Sequence, residues 1–269
     1  MPYRMLVSDL DNTLLTSESR ISPEVKEAVV FALSRGVRVI LCSGRCYISM
    51  RIFEAALGLV SKDQLGISFN GGLIYESLSQ KILTDYRLER GLAFELIDRL
   101  KSKGASVLVY QGGVLYAEKK SADILAYRRN ALLPVNILND FHELNGGVSK
   151  VLVRGENAFI VRLEESLREK AAGRCNTFFS AGDLLEYCPL EADKGSGMRT
   201  VCAYYDIDPA ETIAVGDQNN DISMMRLAGL GIAVANATEE AKAAADCVIS
   251  KTNDQHAVAS VIYKYFDLS

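Results

Sequence analysis

Two aspartates two positions apart, Asp9 and Asp11 in "SDLDNTLL", close an apolar run that begins at Met5. A second acidic pair, Asp217 and Asp221, closes another in "TIAVGDQNND". A buried strand that ends on charge needs a reason. In a parallel sheet, ligands sit at the carboxyl ends of the strands, and "MLVSD", "VILCSG" and "TIAVGD" deliver Asp9, Ser43 and Asp217 to that edge. Extended backbone would face Asp9 and Asp11 the same way. Four carboxylates in one crevice repel by several kcal/mol at low effective dielectric unless a cation lies among them. No histidine or thiolate stands at metal-site spacing, so the all-oxygen set favours a hard ion, Mg²⁺, whose remaining waters a substrate can displace.

A bare DxD also has structural readings. As a calcium loop "DLDNTLL" fails, because the EF-hand pattern needs Gly where Leu14 stands and Glu where Arg20 stands. As a capping turn it has a counterpart in this chain: Asp206 and Asp208 in "YYDIDPAET" precede Pro209 and Glu211, and that pair reads as structural. Other catalytic machinery is scarce. Only His142 and His256 are present, neither in a catalytic setting, and no GxSxG accompanies them. Acid–base work therefore falls to carboxylates and lysine.

The 269 residues, 49% apolar and 24% charged, suffice for a substantial core and two domains. A net charge of −4 with interspersed signs offers no basic stripe for nucleic acid. No stretch approaches the roughly 18 apolar residues of a membrane span, and Asp9 arrives before a signal-peptide core forms. The expectation is a cytoplasmic protein with a small-molecule partner; no motif fixes an oligomeric state. Six scattered cysteines without a CxxC pair read as reduced, mostly buried thiols.

The elements that must position these residues alternate. "RMLVSD" and "VRVILCSG" read as strands, each followed by a helix-like segment, the first with Ser22 as cap, Pro23 in its first turn and Gly36 beyond its end. "LGISFNGGLIYES" reads as two strands joined at Asn70-Gly71-Gly72, with "KILTDY" a third. From "ADKGSGM" onward the strand–helix rhythm resumes through "ETIAVGD", "LGIAVAN" and "DCVIS", all continuous apolar runs suited to burial on both faces. Residues between differ. "ERGLAFELIDRLKSKG" is an amphipathic helix with Leu92, Leu96, Ile97 and Leu100 on one face. "ASVLVY" and "VLYA" form a hairpin about "QGG", and a Pro-containing loop precedes "SKVLVR", a helix, "CNTFFS" and "LLEYC". The expected fold is α/β, a doubly wound parallel-sheet core (residues 1–83 and 189–269) with an inserted α+β cap domain at 84–188.

The ordered set Asp9/Asp11, Ser43, Lys194 and Asp217/Asn220/Asp221 resembles the four motifs of the haloacid dehalogenase superfamily, most closely its Cof-type phosphatase branch. "SDLDNTLL", "LCSGR", "ADKGSGM" and "GDQNNDISMM" are similar to motifs one to four, and the resemblance covers nearly the whole chain. It departs at Asn12, where the family usually has Gly, and at Ser43, commonly Thr. Asn tolerates the left-handed conformation and Ser keeps the hydroxyl. "CPLEA" before Lys194 is also less typical of the branch.

The resemblance implies a Mg²⁺-dependent phosphatase acting on small phosphomonoesters such as sugar phosphates, nucleotides or cofactor precursors. Asp9 would be the nucleophile that forms an aspartyl-phosphate, and Asp11 the general acid and then base. Mg²⁺ would be held by Asp9, the Asp11 main-chain carbonyl and Asp217, with Asp221 ligating or supporting through water. Ser43, Gly44 and Lys194 would grip the phosphoryl oxygens with help from Asn220, and Arg45, Asn70 and Gly71 are candidate substrate contacts. The cap would close over the crevice and select the leaving group. Two alternatives use the same residues differently: a phosphomutase, and a non-catalytic phosphate-sensing module.

Overall fold

The computed structural model describes residues 3–180 and 183–266. The chain divides into two compact units, one running up to Thr84 and resuming at Asp193, the other spanning Asp85–Ala192.

The first unit opens with β1 (Met5–Ser8), α1 (Pro23–Ser34), β2 (Arg38–Leu41) and α2 (Tyr47–Ala56). The expected start of α1 is present: Ser22 Oγ accepts the Val25 N–H and Pro23 fills the first helical position. A hairpin follows, β3 (Leu65–Ser68) and β4 (Leu73–Glu76), turned at Phe69–Gly71, with β5 (Ile82–Asp85) beyond it.

The inserted unit carries α3 (Arg90–Ser102), β6 (Val107–Gln111), β7 (Val114–Ala117), α4 (Ala122–Ala131), β8 (Val135–Ile137), β9 (Lys150–Arg154), α5 (Asn157–Ala171), β10 (Asn176–Ser180) and β11 (Leu184–Cys188). Its sheet has the order β10-β11-β9-β6-β7-β8. Leu92, Leu96, Ile97 and Leu100 of α3 pack with Ile160, Leu163 and Leu167 of α5 and with Val107, Val109, Val151 and Val153 of the sheet. Strand β8 lies in the segment that the sequence presents as a Pro-containing loop. It is short, half-buried or exposed, and at the sheet edge, paired parallel to β7, so it carries no apolar run to announce it. The return junction falls at 192/193 because Asn176 Nδ2 donates to the carbonyls of Leu190 (2.8 Å) and Ala192 (3.0 Å), tying that segment to β10.

The chain then completes the first unit with α6 (Lys194–Tyr205), β12 (Thr212–Gly216), α7 (Ile222–Leu227), β13 (Leu230–Ala233), α8 (Glu239–Ala244), β14 (Cys247–Val248) and α9 (Ala257–Phe266). The sheet order is β14-β13-β12-β1-β2, with every neighbouring pair parallel. β1 and β12 are wholly buried and lie at its centre, as their unbroken apolar sequence requires. The order reverses direction on either side of β1, which makes its carboxyl end a switch point. All six cysteines are free thiols. No helix among the described residues is long and apolar enough to cross a membrane.

Candidate active site

Asp9 and Asp217 each stand one residue beyond a central strand. Asp9 remains in the ladder, its N–H donating to Val215 O at 3.0 Å, and both side chains are buried. Asp221 returns to the same point from the turn after β12. Its Oδ2 accepts the Asp217 and Gln218 N–H groups, both at 2.9 Å, and a Cβ at Gly216 would collide with its side chain, so glycine there permits the close approach. Carboxylate oxygens of Asp9, Asp217 and Asp221 lie within 4.8 Å of one another.

Lys194, the first residue of α6, enters this cluster fully buried. Its Nζ donates to Asp9 Oδ1 and Asp221 Oδ1, both at 2.5 Å. Asp193 caps the helix, its carboxylate accepting the Ser196 N–H at 2.8 Å, and thereby fixes where Lys194 departs. Burial pulls the lysine ammonium down, but the Asp221 and Asp9 charges outweigh it and hold it well above the ordinary lysine range. Asp9 is pushed well above the ordinary aspartate range, first by burial and then by Asp221, Asp217 and Asp11, against the pull of Lys194. Asp217 is pushed up to about 6, by burial and then by Asp221. One ammonium thus faces three buried carboxylates, and a divalent cation would balance the remainder. The donor set is all carboxylate oxygen, as a hard ion demands.

Asp11 is placed apart from this cluster. Its side chain is 43% exposed, and its carboxylate is held by Arg45, with Nε to Oδ2 and Nη2 to Oδ1 both at 2.7 Å. Asn12 follows at φ 57, the left-handed conformation for which asparagine substitutes for glycine. A turn that begins at Leu10, between the two acids, breaks the extended geometry, so three carboxylates converge where the sequence suggested four. The Asp206/Asp208 pair is structural: Asp206 ends α6 in left-handed conformation, and Asp208 caps a short turn and forms a capping box with Glu211.

Ser43 is buried two residues beyond β2. Its N–H donates to Ile67 O at 2.9 Å and its Oγ accepts the Arg45 N–H at 3.1 Å. Asn70, at φ 57 and wholly buried, donates its N–H to Ser43 O at 3.0 Å and accepts Asn220 Nδ2 on its Oδ1 at 3.0 Å. Its own Nδ2 has no partner among the described residues. Gly44 lies against that amide, and Gly71, at φ 92, packs its α-carbon onto the Asp193 carbonyl, where no side chain fits. Asn70 and Gly71 therefore join the second, third and fourth motifs physically.

Two contributors escaped the sequence reading. Thr13 Oγ1 donates to Asp217 Oδ1 at 2.7 Å, and Gln218 Nε2 to Asp217 Oδ2 at 3.1 Å. Gln218 directly follows Asp217 and Thr13 lies two residues beyond Asp11, and that nearness was the one signal available.

A parallel sheet that carries three carboxylates and a buried lysine to its carboxyl edge is the scaffold of an α/β enzyme whose carboxylate oxygens could hold a cation. The chain belongs to the haloacid dehalogenase-like hydrolases, whose family model matches residues 6–262. It is similar to a solved haloacid dehalogenase-like hydrolase from Bacteroides thetaiotaomicron, with TM-score 0.89 and 28% identity over 97% of this chain and 99% of that one. It is 29% identical to the HMP-PP phosphatase of Serratia proteamaculans over 89% of this chain and 86% of the relative. It is also 30% identical to the chloroplastic endoribonuclease YBEY of Arabidopsis thaliana over 98% of this chain, but that match spans only 46% of the longer protein.

Proposed function

We propose that this chain is a Mg²⁺-dependent phosphatase that hydrolyses small phosphomonoesters through an aspartyl-phosphate on Asp9. The observation that carries the reading is the convergence of Asp9, Asp217 and Asp221 about Lys194, brought together from segments far apart in sequence. Asp9, Asp217 and Asp221, with the Asp11 carbonyl, would hold the ion; when bound it screens the charge of the attacking carboxylate and of the phosphate dianion from each other.

The chain's own residues divide the remaining work. Lys194 occupies Asp9 Oδ1, and Oδ2 receives no hydrogen bond from the described residues, so Oδ2 is the oxygen presented to phosphorus. As the Asp9 oxygen bonds to phosphorus, the ester P–O bond breaks and Asp11 delivers a proton to the departing oxygen. Asp11 then takes a proton from water, whose oxygen attacks phosphorus, releasing inorganic phosphate and restoring Asp9. Ser43, the Gly44 amide, Lys194 and the unpartnered Asn70 Nδ2 supply donors for the phosphoryl oxygens, with Asn220 orienting Asn70. Thr13 and Gln218 hold Asp217 with both oxygens oriented.

The relatives named as phosphatases favour hydrolysis over phosphoryl return to product. The assay is phosphate release from a panel of phosphomonoesters with Mg²⁺ or with EDTA. Steady, metal-dependent release is expected. Isomerised product without free phosphate would make the chain a mutase, silence across the panel would make it a sensing module, and an Asp9→Asn variant with wild-type turnover would remove the nucleophile.

A further inference from the structure

We propose that Arg45 is a positioning residue that orients the Asp11 carboxyl group toward the leaving oxygen, rather than a residue that grips substrate. This rests on the phosphatase reading above. Two parallel N–H···O bonds of 2.7 Å join the guanidinium fork to both Asp11 oxygens and fix the plane of the carboxyl group.

The surroundings decide which partner positions the other. Arg45 is only 12% exposed, against 43% for Asp11. Its N–H donates to Ser43 Oγ, and its carbonyl accepts Ser68 Oγ at 2.7 Å and the Phe69 N–H at 3.1 Å. Its guanidinium lies over the ring of Phe53, 5.2 Å from the centroid. An arginine anchored at backbone and side chain has lost its freedom on folding, so it can hold a half-exposed acid at no further ordering cost of its own. Asp11, outside the buried carboxylate cluster and next to a left-handed residue, has no comparable anchor among the described contacts of its side chain. A reacting group displaced by about 1 Å can lose roughly 10² in rate, which is the scale on which such an anchor matters. Arg45 also connects two motifs: Ser43 holds its backbone while its side chain holds Asp11.

The test compares kcat/KM, which reports the first phosphoryl transfer, on two esters with Mg²⁺ present. p-Nitrophenyl phosphate loses a phenolate that departs without a proton; glycerol phosphate loses an alkoxide that needs one. General acid catalysis is worth about 10²–10⁴-fold, so Arg45→Met should lower kcat/KM on glycerol phosphate by at least about 10-fold. The p-nitrophenyl ester should keep its value, with a burst of nitrophenolate as the second step slows. Arg45→Lys, which retains the charge but not the fork, should fall between and serves if the methionine variant does not fold. In the Asp11→Asn background, Arg45→Met should cost nothing further, because both changes remove one function. Equal kcat/KM losses on both esters, or a full additional loss in the double variant, would overturn the proposal and make Arg45 a substrate contact. Failure of the underlying reading looks different: wild-type protein silent on both esters, or Asp11→Asn at wild-type turnover.

Discussion

Replacing Lys194 by methionine removes a charge while keeping nearly the same volume, and the structure sets the size of the effect. The ammonium is wholly enclosed and 2.5 Å from each of two carboxylate oxygens, with Asp217 completing the cluster. Breaking a buried pair from one side costs about 3–5 kcal/mol, because the partner is left charged and unpaired. Here two partners are left, so the upper part of that range applies. Against a total stability of about 5–15 kcal/mol, this is a third or more of what holds the core together. At about 2–4 °C per kcal/mol for a domain of 150–250 residues, the melting point should fall by roughly 8–20 °C in EDTA near neutral pH.

The pH dependence supplies the second half of the test. A lysine held above its ordinary range contributes fully below that range, so at neutral pH the wild-type contribution is intact. In the variant, Asp9 and its neighbours shed the penalty by taking up protons, and the deficit should shrink as pH falls. Mg²⁺ should shrink it as well, by replacing the lost charge. A variant whose melting point in EDTA lies within about 3 °C of wild type, or whose deficit is unchanged on acidification, would refute the claim that Lys194 compensates the buried acids.

Further outcomes follow from single contacts. Asp217 sits at about 6, so the ion-free core loses the stability of its protonated form as pH rises through that value. The carboxylate then becomes available to a cation, and the rise in melting point on adding Mg²⁺ should be small near pH 5 and full by about pH 7.5. Glu54 is buried, accepts Tyr75 Oη at 2.7 Å and Ser77 Oγ at 2.9 Å, and is raised by burial against those two bonds. Its protonated form favours the fold, so wild type should lose stability relative to Glu54→Gln as pH climbs above the ordinary glutamate range, by paired denaturant titrations. Gly71→Ala combines a left-handed backbone with a clash on the Asp193 carbonyl and should cost about 2 kcal/mol or more, read by thermal melting, with weakened phosphate binding because Asn70 is displaced.

The sequence carried the central sheet because its strands are buried on both faces and therefore read as apolar runs with an acid at the end. Asp9 and Asp217 were legible for the same reason. What it did not carry was side-chain direction. Asp11 was expected beside Asp9, but the turn that begins at Leu10 breaks the extended geometry between them, and the Asp11 carboxylate meets an arginine 34 positions away. Strand β8 escaped because pairing at an edge leaves its residues half-exposed. The buried Lys150–Glu186 pair, 2.8 Å apart on adjacent strands, was hidden because "SKVLVR" and "LLEYC" read as apolar strands whose lone charges would ordinarily face water. In each case a partner distant in sequence decides the outcome, and no local pattern encodes it.

Two aspartates separated by one residue could not serve as nucleophile and acid if they shared an environment, since each role asks for a different response to charge. The fold separates them by a single turn. Asp9 stays in the ladder of the central strands, enclosed and facing Lys194, which holds one of its oxygens. Asp11, two residues on, reaches the surface and an arginine fork. The divergence depends on the backbone leaving extended geometry at Leu10, between them, and on Leu10 and Leu14 burying their side chains to lock that turn against the core. The apolar residues interleaved with the acids in "DLDNTLL" are thus the reason the acids differ: they fix the turn, and the turn assigns each carboxylate its surroundings.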